Sequence, residues 1–535
     1  MKKNKQSFMN SVIVLMVSQF IIKTAGLIYK VYLTNKNGFG DTGNAIYSAG
    51  FQVYTLLLAI SSIGVPNTIS QLVSSKVAIG DNKGAHRIFK VAIAIFGTIG
   101  FVGSSVLFFN AKKLANSYLG IPEAELTIMA LAPSIFVVSI SSVIRGYFNG
   151  RERISITANS QSIEQILKTV LTIFTVEIFA VLSKNDTITM VAGAAIGTTV
   201  ATFFSFIYLY IFYIKNKKEI WKDVISSKQH KKEGIANIIK TILAIALPIS
   251  ITALLASVNK SIDAFTVVNT ISEFLGTEEA KLQYGILTGK VETLIVLPYS
   301  FNIAFAITLI PTISAAKASG EMEKAIKRIN FSLLATILIA LPCTAALFVF
   351  AEPILKLLFP NAYLGSFMLK LSSLSIVFVA LNQTVGGVLQ GLKKVNVPII
   401  SIAIGSIVKI ILNIILLPIE QLNINGAIIA TIASHFVTCF VSIIYLRKYI
   451  KIQLNIAKII IKPILATIGM IITSAYIYSN IIIANSKNIT LICSLLIGVI
   501  IYILLIITLK ILSKEEINML PYGNKIYKVR KDENR

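Results

Sequence analysis

Long apolar segments recur along almost the whole chain and are separated by short polar loops. Each is about 20 residues or longer, the length that an α-helix needs to cross the roughly 30 Å hydrocarbon core of a bilayer. The pattern predicts about fourteen membrane-spanning helices and hence an all-α polytopic membrane protein. Their expected positions are residues 11–34, 45–75, 88–109, 126–149, 156–182, 189–214, 237–268, 286–313, 329–351, 366–390, 395–418, 424–446, 454–479 and 488–512.

An internal repeat divides these helices into two sets of six. Pro66 to Ser70 reads almost as Pro311 to Ser314 does, and similar basic and acidic residues follow both segments. The glycines Gly146 and Gly150 have counterparts in Gly387 and Gly391, and glycines spaced in this way let helices pack closely. Six is an even number, so the repeat predicts two lobes of like orientation, related by a pseudo-twofold axis along the membrane normal.

The longest polar connection marks the boundary between the two lobes. It predicts an N-terminal six-helix lobe at residues 1–214, a basic linker at 215–236 and a C-terminal six-helix lobe at 237–450. Two additional helices would lie within residues 451–513, and a basic tail would follow at 514–535.

Charge is sparse and unevenly placed. The chain is 55% hydrophobic and 14% charged, with a formal net charge of +26. Basic residues gather in one set of alternate loops and acidic residues in the other, so the positive-inside rule predicts that both termini and the basic loops are cytoplasmic. This topology explains the surplus charge without a nucleic-acid partner, for which the chain offers no folded soluble domain. The short basic N-terminus leads directly into a retained first helix rather than a cleaved signal peptide.

Ionisable residues inside the apolar segments are the candidate functional groups. Each costs about 2.5 to 3.5 kcal/mol at the centre of a membrane helix and therefore needs a partner, a hydrated cavity or a route to the interface. Lys23 lies near the middle of the first segment, and Lys30 follows it on the same helical face. The predicted cavity cations are Lys23, Lys30, Lys260, Lys290 and Arg145.

Acidic residues next to cations suggest either coupling sites or structural pairs. Glu164 and Lys168 stand one helical turn apart, and Asp263 follows Lys260 by three residues beneath an expected helix break at Pro248. We predict that Glu164, Lys168 and Asp263 form intramembrane charge pairs or coupling sites. For Arg145 and Glu164, a purely structural role remains an alternative at this stage.

Enzyme motifs are absent from the sequence. It contains no Walker A loop, no Gly-rich phosphate cradle and no His/Cys spacing typical of metal sites. Cys343, Cys439 and Cys493 all lie in apolar segments, which favours packing over disulfide or zinc chemistry. We therefore expect a protein that is not an enzyme and that uses neither a metal nor another cofactor.

Five segments together resemble the polysaccharide-flippase branch of the MOP exporter superfamily, and within it the stage V sporulation protein B group, related to the MurJ-type lipid II flippases. These segments are Lys23–Thr34, Pro66–Ser70, Arg145–Gly150, Ser160–Gln165 and Leu309–Ser314. The resemblance covers essentially the whole chain. It implies alternating-access flipping of an undecaprenyl-pyrophosphate-linked saccharide, such as lipid II, to the outer leaflet of the bacterial plasma membrane.

The resemblance also implies roles for particular residues. Lys23 matches a cavity arginine of the lipid II flippases, whereas Gln52 stands where they carry a second arginine and only Lys290 approximates a third. The implied partners are the undecaprenyl-linked glycolipid, membrane lipids and, as further candidates, cell-wall synthesis enzymes. An ion gradient or the membrane potential would supply energy, through Glu164 or Asp263.

Two other functions remain open at this point. A multidrug exporter of the related MATE group would share the two-lobed architecture, but its cationic substrates would favour cavity acids over cavity bases. A membrane-embedded glycan polymerase or ligase would be expected to carry a long outer loop with catalytic groups, and no predicted outer loop exceeds about 20 residues.

Overall fold

Helices account for all regular secondary structure in the part of the chain that the structure describes. This computed structural model describes residues 23–59, 64–151, 153–227, 233–300, 302–319, 322–450, 455, 457–483, 485–513 and 516. No strand occurs among these residues. The predicted all-α membrane fold is thus confirmed.

The helices follow one another with short connections. In the first half of the chain they are α1 (23–35), α2 (Gly40–Leu58), α3 (Val65–Ala78), α4 (Asn82–Phe109), α5 (Ala111–Lys113), α6 (Ala124–Gly150), α7 (Ile154–Leu182), α8 (Thr187–Lys215), α9 (Lys217–Ile225) and α10 (Ile235–Leu275). In the second half they are α11 (Thr277–Ile286), α12 (Glu292–Ser300), α13 (Ile303–Ser319), α14 (Met322–Val349), α15 (Ala351–Leu358), α16 (Ser366–Ser373), α17 (Ser375–Gly391), α18 (Asn396–Leu416), α19 (Ile424–Tyr449), α20 (Lys462–Asn480) and α21 (Lys487–Thr508). Among the described residues, π-helical segments of five residues lie at Leu114–Tyr118, Leu287–Val291 and Ala457–Ile461.

Eleven helical segments in the described residues are long and apolar enough to cross a membrane. They coincide with eleven of the fourteen predicted spans. The other three predicted spans, 11–34, 45–75 and 286–313, each include residues outside the described ranges, so the count of fourteen stays a prediction. The described part of 286–313 consists of a π-helical turn followed by α12 and α13 rather than one regular helix.

Contacts group the chain into two compact units. The first unit comprises Ala25–Gly289 and Asn413–Ala427. One of its cores joins α3, α4 and α6 to the membrane-spanning α8 and α10, with Phe89, Tyr147 and Phe148 almost completely buried. The short helix α9 adds Ile220 and Val224 to this core.

The second unit contains the described residues of Met1–Thr24, Lys290–Leu412 and Ile428–Arg535. One of its cores lies between α13, α14 and α17, is completed by residues of α18 and α19, and includes Leu309, Ile329 and Val388. A smaller cluster joins α14 to the last two helices, and the Tyr502 hydroxyl donates to the Leu338 carbonyl oxygen at 2.9 Å. The lobe boundary at 215–236 remains a prediction.

The sequence repeat corresponds to a repeated helix contact. In the first unit, α6 packs on α3 so closely that a Cβ atom on Gly146 would lie 2.8 Å from both the Ile69 Cβ and the Pro66 carbonyl oxygen. In the second unit, α17 packs on α13, and a Cβ atom on Gly387 would lie 2.6 Å from the Ala306 carbonyl oxygen. Both copies therefore need glycine for the same physical reason, backbone approach between two helices.

The two copies differ in register. Ile69 faces Gly146, the first glycine of its pair, whereas Ile313 faces Gly391, the second glycine of its pair. The duplicated sequence has therefore kept the helix contact but shifted it by about one helical turn.

Helix α10 is the longest helix among the described residues, with 41 residues, and it runs without interruption through the helix break expected at Pro248. A proline removes one backbone hydrogen bond, and in a membrane no water competes for the remaining ones. Close contacts hold α10 against the rest of the first unit at two positions along the helix. Ser250 approaches Gly64, and the Asn269 amide donates to the Tyr118 carbonyl oxygen at 2.9 Å.

Adjacent glycines in α17 provide a test of the repeated contact. We expect Gly387→Ala to lower stability by about 1–3 kcal/mol, because the added methyl group would overlap the α13 backbone. Gly386→Ala should be neutral or slightly stabilising, since no atom lies within 4 Å of its would-be Cβ. Thermal unfolding of both purified variants measures the difference, and equal melting temperatures would contradict the proposed contact.

Candidate functional site

Arg145 donates hydrogen bonds to three side chains on two other helices. It lies near the end of α6 and is 7% exposed. Its guanidinium donates to Ser160 Oγ at 3.0 Å, to Ser205 Oγ at 3.0 Å and to Glu164 Oε2 at 2.7 Å. Ser205 Oγ in turn donates to the Ser160 carbonyl oxygen at 3.0 Å. One arginine therefore joins α6, α7 and α8.

These contacts explain how the bundle tolerates a buried arginine. A hydrogen bond to a charged group contributes about 1.5–3 kcal/mol, so three of them offset the cost of placing the charge in a membrane helix. Only the contact with Glu164 also neutralises the charge. Joining three helices is a structural role for Arg145, and its predicted role as a cavity cation stays a prediction.

Glu164 forms its ion pair with Arg145, where the sequence suggested a local pair with Lys168. Ser160 and Ser205 hold the guanidinium in place, and a planar guanidinium suits a carboxylate better than a flexible ammonium group does. The Lys168 ammonium instead lies over aromatic rings, 4.6 Å from the Phe51 ring centroid and 5.9 Å from that of Tyr29. Cation–π attraction takes the place of the expected helix-surface pair.

The aromatic surface beneath Lys168 extends to a second lysine. Tyr47 and Phe51 stand one turn apart on α2 and stack with ring centroids 5.7 Å apart and an interplanar angle of 14°. Lys30 Nζ lies 5.2 Å from the Tyr47 ring centroid and donates to Asn44 Oδ1 at 3.3 Å. Two cations from α1 and α7 thus flank one aromatic pair.

Hydrogen bonds hold in place Asn44 and Tyr47, the two residues that the Lys30 ammonium contacts. The Asn44 amide donates to Thr34 Oγ1 at 2.8 Å and to the Gly40 carbonyl oxygen at 3.0 Å, which orients its own oxygen. The Tyr47 hydroxyl lies 3.0 Å from Thr198 Oγ1 on α8. We call Lys30, Lys168 and Arg145 the cationic row. It has three fixed cations from three helices of the first unit, and Glu164 supplies one carboxylate.

The remaining predicted residues lie in different surroundings. Lys23 is half-buried at the first described position of α1. Lys260 is exposed on α10, whereas Asp263 is buried and accepts a hydrogen bond from the Asn413 amide at 3.0 Å. Within the first unit, Asp263 is therefore anchored to Asn413, a residue distant in sequence. Lys290, in the second unit, is fully buried in the π-helical turn and donates to the Ala362 carbonyl oxygen at 2.6 Å.

Sequence reasoning missed the neutral residues of the site. Ser160 and Ser205 fix Arg145, and Tyr47 and Phe51 lie beneath the lysines. Ser160 precedes Glu164 by one helical turn, a spacing that places both on one face of α7 and was available as a signal. The sequence around Tyr47 and Phe51 gave no comparable signal, because aromatic residues are common in membrane helices.

No metal centre is formed by the part of the chain that the structure describes. Among those residues, no three His, Cys, Asp or Glu side chains come together as a metal ion would require. The arrangement suits a different task. Positive charge beside aromatic faces is the chemistry that suits an anionic or sugar-bearing ligand.

Comparison with known families identifies the class of protein. The polysaccharide biosynthesis protein family matches residues 8–317, more than half of the chain. This chain belongs to that family. The MatE family also matches, over residues 284–415, and both families are part of the MOP superfamily. The chain is therefore a multi-pass membrane transporter of the MOP superfamily.

Individual relatives of this family member come from Bacillus subtilis strain 168. Stage V sporulation protein B is 22% identical over 519 residues, which cover 97% of this chain and 98% of the relative. Lipid II flippase MurJ is 24% identical over 449 residues, 82% of each chain. An uncharacterized membrane protein, YabM, is 27% identical over 527 residues, 96% of this chain and 95% of the relative.

Solved structures share the fold of the family. A lipid II flippase MurJ in an inward closed conformation matches with a TM-score of 0.68 and 18% identity, covering 92% of this chain and 98% of that one. An inward-facing MATE multidrug resistance transporter matches with a TM-score of 0.66 and 16% identity, covering 82% and 98%. The recognised resemblance to the MOP superfamily is confirmed.

The ion pair of Arg145 and Glu164 can be tested by a double-mutant cycle. Arg145→Leu alone should lower stability by about 3–5 kcal/mol, because it leaves the Glu164 carboxylate partly buried without its partner. The double variant Arg145→Leu/Glu164→Leu should lose markedly less than the sum of the two single variants. Thermal unfolding in detergent measures all four proteins. Strictly additive losses would mean that the two side chains do not stabilise each other.

Proposed function

We propose that this transporter flips an undecaprenyl-pyrophosphate-linked saccharide, lipid II or another cell-envelope precursor, from the inner to the outer leaflet of the bacterial plasma membrane. Alternating access would expose the bound head group first to one side and then to the other. The observation that carries the proposal is the cationic row, which places fixed positive charge beside aromatic faces in a membrane-embedded unit.

The chemistry of such a substrate fits the cationic row. A pyrophosphate loses hydration when it leaves the aqueous phase, and fixed cations replace part of that lost interaction. Lysine contributes a compact charge that a phosphate can approach from several directions, whereas the guanidinium of Arg145 is already held by three partners. Lys30 and Lys168 are therefore our main candidates within the row, together with Lys23 on α1.

The unequal distribution of charge between the repeats also supports an anionic cargo. The first unit has Arg145 immediately before its glycine pair, and the second has Gly386 at the corresponding position. The glycine contact is present in both repeats, but the arginine is present only in the first. We therefore infer that the head group binds mainly to the first repeat.

Several further features belong to the proposal. Both termini would lie in the cytoplasm, as the distribution of basic loops indicates. The chain would perform no covalent chemistry and would use the membrane potential or an ion gradient, acting through Glu164, Lys168 or Asp263. Lys260 and Lys290 would complete the set of cavity cations, and enzymes of cell-wall synthesis would act before and after transport.

Multidrug export is the main alternative, because MATE transporters share the fold. A site for cationic drugs should carry more acids than bases. The cationic row contains three cations and pairs with one carboxylate, Glu164, which disfavours that alternative.

A sidedness measurement tests the substrate class. We expect that expressing this protein in bacteria depleted of their own lipid II flippase restores movement of an undecaprenyl-linked precursor to the outer leaflet. Accumulation of each precursor on the inner leaflet is measured by its protection from an external modifying enzyme. If no undecaprenyl-linked species changes sidedness while cationic dyes are exported, the flippase proposal is wrong and the MATE alternative is correct.

Charge-retaining and charge-removing variants test the cations in the same assay. Lys168→Met should reduce flipping by about tenfold or more, since a hydrogen bond to a charged group contributes about 1.5–3 kcal/mol, whereas Lys168→Arg should retain most activity. Lys23→Ala should abolish flipping and Lys23→Arg should be tolerated. Membrane protein levels serve as the control. Full activity of Lys168→Met or Lys23→Ala would remove that lysine from the mechanism.

A further inference from the structure

Helix α9 (Lys217–Ile225) lies immediately after a membrane-spanning helix and has no role in the proposed transport site. α8 is 29 residues long, or about 44 Å, so it crosses the hydrocarbon core and ends among the head groups. Only Asn216 separates the two helices. α9 therefore begins at the level of the membrane surface.

One side of α9 packs against the rest of the first unit and forms ion pairs with it. Ile220 and Val224 are buried in the core. Glu219 and Asp223 form ion pairs with Arg153 and Arg151, two residues that follow α6. Both acidic side chains of the helix thus point towards arginines and are neutralised by them.

The other side of α9 keeps only cations and apolar groups. Lys217, Lys218 and Lys222 are exposed, and they share this side with Trp221 and Ile225. Ile225 is 80% exposed and Trp221 41% exposed. A helix with lysines and large apolar residues on one exposed side is typical of helices that lie in the plane of a membrane surface.

Contacts of Trp221 indicate its depth. Its ring lies 5.8 Å from the His86 ring centroid and 5.7 Å from Lys90 Nζ, both on the first turns of α4. The apolar run predicted for this span begins at residue 88, between those two residues. Trp221 therefore lies where hydrocarbon gives way to head groups, the level at which tryptophan concentrates in membrane proteins.

We propose that the exposed side of α9 binds anionic phospholipid head groups of the leaflet in which α8 ends. Lys217, Lys218 and Lys222 supply charge complementarity to the phosphates, while Trp221 and Ile225 insert at the boundary of the acyl chains. The inference is independent of the transported substrate. An acidic protein or a nucleic acid would account for the lysines but not for the depth of Trp221 or the exposure of Ile225.

Hydrogen bonds also attach a residue that follows α9 to the first unit. Ser227, just beyond α9, accepts a hydrogen bond from the Lys83 amide and donates one to the Gly80 carbonyl oxygen, both at 3.2 Å. The start of the linker is therefore held between the first unit and the lipid surface.

The chain contains a single tryptophan, so Trp221 is a built-in probe of the contact. The full-length protein is reconstituted in nanodiscs of phosphatidylcholine alone or of about 70% phosphatidylcholine and about 30% phosphatidylglycerol. Emission is excited where tyrosine does not absorb. We expect a blue shift in the anionic discs, and stronger quenching by brominated phosphatidylglycerol than by brominated phosphatidylcholine at equal mole fraction.

Matched pairs of neighbouring lysines separate a specific contact from a general charge effect. Lys217→Glu/Lys218→Glu should lower the enrichment of phosphatidylglycerol around Trp221 by about tenfold or more. Lys112→Glu/Lys113→Glu changes an equally exposed pair beyond the opposite end of α4 and should leave it unchanged. Raising the salt from about 0.1 M to about 1 M shortens the Debye length from about 10 Å to about 3 Å and should mimic the first variant in the unaltered protein.

Three results would overturn the proposal. One is identical emission and quenching in the two kinds of disc. Another is an anionic preference that survives the Lys217→Glu/Lys218→Glu change, and a third is an equal loss in both double variants. The salt series uses the unaltered protein, so it decides the question even if a variant fails to fold.

Discussion

A lipid environment supplies no hydrogen-bond partners, and this constraint governs how the first unit is built. Every charge that enters its membrane helices has to be compensated by another part of the protein. Arg145 meets the constraint with two serines and a carboxylate, and Lys30 and Lys168 meet it with an amide oxygen and aromatic faces. These compensations differ in kind. The guanidinium is held by hydrogen bonds and an ion pair, whereas the two ammonium groups also lie over aromatic rings.

Packing and charge have diverged between the two repeats. The glycine contacts of α3 with α6 and of α13 with α17 are alike, because in both the helices approach so closely that there is no space for a Cβ atom. Their polar networks are not alike. In the second unit the Asn302 amide donates to Thr384 Oγ1, which lies 2.8 Å from Thr336 Oγ1, so neutral side chains link α14 to α17 there. The close helix contact is thus present in both repeats, while the polar side chains near it differ between them.

Most of the fold was predictable from the sequence because its determinants are local. Apolar length identifies membrane helices, and the repeated Gly146/Gly150 and Gly387/Gly391 pairs identified the two equivalent helix contacts. The register of those contacts was not predictable, since it depends on which turn of a partner helix is opposite. The partner of Glu164 was equally beyond a local pattern. Lys168 is near it in sequence, but Arg145 comes from another helix and is fixed by Ser205 from a third. Lys290 illustrates the same limit, because its π-helical turn and its contact with Ala362 depend on distant residues.

The length of α10 has a mechanical consequence. Forty-one residues extend over about 60 Å, whereas a bilayer with its head groups measures about 40–45 Å. The helix is therefore exposed to water at one or both ends, or it is strongly tilted. Its linker end lines a cavity of about 460 Å³ together with Lys76, and further along the same helix Asn269 holds the chain at Tyr118. One continuous helix therefore links the wall of that cavity to the hydrogen bond at Tyr118, and any tilt of α10 displaces both of its ends.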